Sequence, residues 1–161
     1  MSLIKNKFIY EKLTRVEVNG KRKYETPGGT PVASVTTILG ETKDKTHLIE
    51  WRKRVGEQKA QEITTEASGV GTRMHKYLED YIDTGAWPVP GSNPYAQQAH
   101  QMASTIKTHA LDDVNEIWGS EVPLYIPSLY AGTTDLVGLY KQQPCICLLY
   151  TSDAADDLTR V

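Results

Sequence analysis

The sequence contains no run of about eighteen consecutive apolar residues, so no segment is suited to crossing a membrane as a helix. Met1 to Tyr10 carries lysines but no apolar core ahead of a small-residue cleavage site, so no secretory signal is expected and a cytoplasmic setting is. Cysteine is scarce. Cys145 and Cys147, one residue apart, are too few for a zinc site or a disulfide framework, and both are expected to be reduced. The glycine-rich stretch Thr26 to Pro31 lacks the Gly-Lys-Ser/Thr ending that cradles phosphates, so no nucleotide cofactor is expected. No internal repeat or low-complexity segment is visible.

What remains is the composition of one globular domain: 161 residues, 39% hydrophobic and 24% charged. The net charge is only −2, but it is unevenly spread. Residues 1–76 hold 15 of the 18 Lys and Arg against 9 acidic residues, whereas residues 77–161 hold 3 against 11. A basic front and an acidic back suit a protein that grips a polyanion with one part and holds cations with another, although a solvated helix face plus a basic arm gives the same pattern.

Arg15 to Val18 and Lys21 to Tyr24 flank Asn19-Gly20, a dipeptide that tolerates the positive φ angles of a tight hairpin turn. Ser34 is placed to cap a short helix ending near Gly40. From Thr46 to about Ala67 apolar residues recur at helical spacing, among them Leu48, Trp51, Val55 and Ile63, with a basic flank of Arg52, Lys53 and Arg54. A second helix is expected after Gly69, with Val70, Met74, Tyr77, Leu78, Tyr81 and Ile82 as its stripe and Gly85 as its stop. A third starts at Asn93 as cap with Pro94 in its first turn and runs to Val114. After Trp118 the pattern becomes extended: one strand around Glu121 to Ile126, then Tyr130 to Thr134 and Leu136 to Tyr140 bent near Gly132, then another starting at Pro144. Helices followed by a meander of strands point to an α+β fold.

His75 and Glu79 are four residues apart and share one helix face, where an imidazole and a carboxylate can bind a metal or orient each other; a boundary histidine beside a surface glutamate looks the same. His47, His100 and His109 have no such partner and read as structural. Asp135 stands in a run that is otherwise apolar or small, and a carboxylate there must be paired, hydrogen-bonded or metal-bound. Glu121, beside Val122 and Leu124, poses the same question less sharply. Hard carboxylate ligands favour Mg²⁺ or Mn²⁺.

Four blocks of sequence together resemble one family: Ser34 to Leu39 (SVTTIL), Trp51 to Gly56 (WRKRVG), Gly71 to Glu79 (GTRMHKYLE) and Tyr130 to Gly138 (YAGTTDLVG). In order and spacing they are similar to phage-encoded exonucleases of the PD-(D/E)XK superfamily, of the RecB-like branch that also holds the mitochondrial genome maintenance exonuclease. The resemblance covers about residues 30–146. It implies a restriction-endonuclease-like core, a metal-dependent hydrolysis of DNA phosphodiesters in repair and recombination, Mg²⁺ or Mn²⁺ as cofactor and DNA as partner, in a host cytoplasm. It further implies His75 and Asp135 as metal ligands, Asp135 as catalytic, Glu79 and Glu121 as supporting metal or catalytic residues, and Arg52, Lys53, Arg54 and Arg73 as contacts to the DNA backbone.

The family's next strand carries a second acid and a lysine, where this chain has Leu148 and Tyr150. Neither can substitute, since leucine binds no metal and a tyrosine of ordinary acidity carries no positive charge. The stretch Cys147 to Asp157 (CLLYTSDAADD) matches the translation of a transposon-end sequencing adapter. The expectation is therefore a partial nuclease domain over residues 1–146, incomplete at its C-terminal side, followed by a non-biological tail over 147–161, and a chain that is inactive as it stands. The competing reading is a non-catalytic DNA-binding or recombination accessory protein that kept the scaffold and lost the acid and lysine.

Overall fold

The computed structural model describes residues 2–3 and 7–149, and shows an α+β protein built on a mixed sheet. The chain divides into two compact units. One is the continuous helical stretch from Asp44 to Val114; the other joins Ser2–Lys43 to Asn115–Leu148 and contains the sheet.

In the sheet unit the strands are β1 (Ser2–Leu3), β2 (Thr14–Val18), β3 (Lys21–Glu25), β4 (Val32–Ser34), β5 (Val114–Ile126), β6 (Tyr130–Tyr140) and β7 (Gln143–Cys147). Neighbours run in the order β1-β5-β6-β4-β3-β2, and β7 also pairs with β6. The β2–β3 hairpin forms as expected, with Asn19 at φ 54° and Gly20 at φ 71° in the turn. The β6 strand is the centre of the unit. Tyr130 and Ala131 belong to its pairing with β4, Leu136 to Tyr140 to its antiparallel pairing with β7. Gly132 does not divide the segment into two strands: β6 is one strand of eleven residues. Extension also starts earlier than expected, at Val114. A further glycine sets the strand spacing: a Cβ on Gly138 would lie 2.1 Å from the Glu116 carbonyl oxygen, so only glycine permits this approach. Helix α1 (Val35–Thr42) follows β4 and packs on β4 and β6. Ser34 stands at its N-cap, yet its Oγ meets Thr36 Oγ1 at 2.6 Å instead of capping a backbone amide.

The helical unit holds α2 (Thr46–Val55), α3 (Glu57–Thr84), α4 (Pro94–His109) and a short 3-10 turn (Leu111–Asp113). The helix boundary expected near Gly69 lies instead at Gly56, whose φ of 86° is a left-handed conformation that L side chains rarely adopt. From there α3 runs 28 residues straight through Gly69 and Gly71. A helical glycine costs about 1 kcal/mol relative to alanine. Burial of Ala60, Val70, Met74, Leu78 and Ile82 along one stripe more than offsets that. Gly85, at φ 73°, ends α3 as expected. At the start of α4 the Asn93 side chain accepts from the Ala96 amide at 2.8 Å, with Pro94 in the first turn. This helix stops at His109, and Leu111 and Val114, both buried, belong to the turn and to β5.

Candidate metal centre

Along β6, Thr134, Leu136 and Gly138 are buried and alternate with half-buried Asp135, Val137 and Leu139. The strand alternation therefore points Asp135 away from the face that Leu136 seals, at 0% exposure. A carboxylate becomes affordable there because it sits at the sheet surface.

Glu121 lies on the neighbouring strand, β5, in a conformation that nothing in its sequence announces. Its φ is 51°, inside the left-handed region that costs a non-glycine residue on the order of 1–2 kcal/mol. The burial pattern shows why. Ile117 and Val122 are both essentially inaccessible, although five residues apart they would face opposite ways in a regular strand. The alternation of buried positions slips between them, where Glu121 has its positive φ. A carboxylate oxygen of Glu121 and one of Asp135 lie within 4.8 Å of each other. That separation lets two carboxylates bind one hard cation.

The β6–β7 register ends with Leu136 opposite Cys147, and Leu148 follows directly beyond β7. Leu148 is 64% exposed and offers no donor atom. Tyr150 and the rest of 150–161 lie outside the described residues, but Cys147 belongs to β7 and Leu149 is buried, so the first residues of the expected tail take part in the fold. The thiols of Cys145 and Cys147 are free and stand 3.1 Å apart. Burial and the neighbouring thiol push the Cys147 thiol up to about 12.

In the helical unit His75 is half-buried on α3, next to the fully buried Met74. Glu79, one turn on, receives Lys76 Nζ at 3.4 Å, and the same ammonium reaches Asp80 at 2.8 Å. Asp80 and Glu79 hold the Lys76 ammonium above its usual range. Glu79 joins no group of three metal-binding donors among the described residues, so its expected place in the metal set finds no geometric support. His100 is structural, as expected: its Nε2 meets the Pro88 carbonyl at 2.8 Å, and its ring packs against Tyr77 and Trp87.

The expected DNA contacts do not form one patch. Arg52 donates to Glu57 at 2.6 Å, while its Nε is buried without a partner. With Lys53 it lines a groove of about 460 Å³ at the Gly56 corner. Arg73 lines a different groove, of about 770 Å³, which it shares with Lys59 and with the carboxylates of Glu62 and Glu66. Arg54 lines neither, and like Lys53 it is exposed. No helix among the described residues is long and apolar enough to cross a membrane. No protein-family model matches the chain, and no curated protein matches it.

Proposed function

We propose that this chain carries the metal-binding part of a DNA exonuclease of the PD-(D/E)XK superfamily, its sheet unit corresponding to a restriction-endonuclease-like core. The observation that supports this most is the Glu121–Asp135 carboxylate pair, held at the expense of a left-handed glutamate inside a strand. Strain kept at a ligand position is a mark of a working site. The family resemblance further implies His75 as a ligand, an imidazole being an optional donor to such an ion. The oxygen-rich set fits Mg²⁺ or Mn²⁺.

The bound cation would neutralise a phosphate and lower the pKa of a water. Asp135 and Glu121 would hold it, and Arg52, Lys53, Arg54 and Arg73 would contact the DNA backbone without reading sequence. In this reading the chain in this form does not turn over, since Leu148 stands where the family resemblance places a second acid and Tyr150 where it places the lysine that positions the attacking water. The same leucine favours the second reading, a DNA-binding protein without catalysis.

The test places the missing groups. The unsubstituted chain releases no acid-soluble nucleotides from labelled DNA with Mg²⁺ or Mn²⁺. Leu148→Asp tightens Mn²⁺ binding at least tenfold by electron paramagnetic resonance titration, and Leu148→Asp with Tyr150→Lys introduces metal-dependent release that Asp135→Ala removes. Cleavage by the unsubstituted chain, or Mn²⁺ affinity indifferent to Leu148→Asp, refutes this mechanism.

A further inference from the structure

The basic residues that the family resemblance singles out all lie in the helical unit, but the sheet unit has a basic face of its own. In the β2–β3 hairpin Arg15 is opposite Tyr24 and Glu17 is opposite Arg22, so Arg15, Glu17, Arg22 and Tyr24 project on one side. Arg15 and Arg22 are a diagonal pair, with backbones about 7–8 Å apart. Both are exposed, and neither forms an ion pair among the described residues. Together with Val16 and Glu17 they line a groove of about 270 Å³. Lys12 to Glu25 carries five cations against two carboxylates, and Lys21 alone among the five is neutralised, by Glu41 at 2.6 Å.

The hairpin is anchored so that this face can bear load. The turn is closed by Asn19 and Gly20, β3 pairs with β4, and the Arg22 carbonyl accepts from Thr37 on α1 at 3.4 Å. Planar guanidinium groups fixed on a two-stranded ribbon match phosphate oxygens bidentately, where a flexible lysine offers only a point charge.

We infer that the Arg15–Arg22 face of the β2–β3 hairpin is a second DNA contact, gripping two phosphates of the backbone independently of the metal centre and of the helical arginines. The inference rests on the proposed action on DNA. Its occupant follows from charge complementarity: two exposed guanidinium groups, without an ion pair among the described residues, lining a groove of about 270 Å³. The competing role for charges here is protection of β2, which ends the strand order, against pairing with other chains.

The experiment measures fluorescence anisotropy of a labelled DNA duplex with the full chain in EDTA, so that no hydrolysis enters, between 50 and 200 mM salt. Arg15→Ala with Arg22→Ala weakens binding at least tenfold at the low-salt end. It also flattens the slope of log affinity against log salt by about 1.8, the value for two phosphate contacts. Arg15→Lys with Arg22→Lys keeps most of the slope and confirms that the hairpin tolerates substitution. Unchanged affinity and slope in the double alanine variant overturns the inference, the more so if that variant self-associates, because the arginines then guard the edge. A same-length RNA that binds tenfold tighter than the DNA overturns the choice of partner. Mn²⁺ titration of the same unsubstituted chain separates the two readings: hairpin-dependent DNA binding by a chain that takes up no Mn²⁺ would sink the nuclease reading alone.

Discussion

Glu121 and Asp135, fourteen residues apart in sequence and on adjacent strands, bring carboxylate oxygens within 4.8 Å, and only Glu121 departs from ordinary backbone conformation to do so. A divalent cation held by both carboxylates stabilises the folded chain that binds it. Glu121→Gln and Asp135→Asn each abolish the rise in apparent melting temperature that saturating Mn²⁺ gives the unsubstituted chain. That rise corresponds to about 2.7 kcal/mol at a hundredfold excess over the dissociation constant. Glu121→Gly also relieves the left-handed strain and is the most stable of the three without metal. Thermal scans with and without Mn²⁺ decide it; a variant that keeps the metal-induced shift rules the residue out as a ligand.

Gly138→Ala destabilises the protein by more than about 3 kcal/mol, because the new methyl meets backbone on β5, which cannot rotate aside as a side chain would. Gly69→Ala is the counterpart: nothing lies within 4 Å of its added Cβ, and α3 gains up to about 1 kcal/mol. Urea unfolding of the two variants should move the midpoint in opposite directions, and a Gly138→Ala protein as stable as the parent would show that β5 and β6 do not approach as described.

Glu116 supplies a pH dependence. Its carboxylate accepts from Trp118 Nε1 at 2.8 Å and pairs with Lys7 at 3.2 Å, and these hold it below its ordinary value of 4.5. A depressed carboxyl stabilises the fold above its unfolded value, and the contribution is lost as pH falls through the lower folded value. The stability gap between the parent and Glu116→Gln is therefore largest at neutral pH and closes on the acid side. A gap that is constant from pH 7 to pH 3 contradicts this pairing.

How much of this was legible in the sequence differs by range of interaction. Asn19-Gly20, Asn93-Pro94 and Gly85 encode their own local geometry, and the hairpin, the cap and the helix stop all lie where those residues place them. Gly56 and Gly69 are indistinguishable on local grounds. The stripe that carries α3 through the second is supplied by packing, which a glycine cannot report. Asp135 stood out as a carboxylate in an apolar run. The left-handed backbone at Glu121 did not, because glutamate has no preference for positive φ and the phase slip between Ile117 and Val122 shows only once burial is known. The pairing of Glu79 with Lys76 three residues before it was open to view in the helical spacing. Arg15 and Arg22 share a face only through the hairpin register.

The sheet unit is sewn from the two ends of the described chain, with the helical unit between them, and this sets a timetable for a nascent polypeptide. Ala33 of β4 is held by Tyr130 of β6, and Ser2 of β1 by Glu116 of β5. A ribosome adding 5–20 residues per second leaves the early strands waiting about 5–20 s for partners roughly 100 residues downstream. The β2–β3 hairpin can close within microseconds of emerging and the helices soon after. The β4 strand, too short to be stable alone, is the part of the newborn chain most exposed to a chaperone or a protease until β6 arrives.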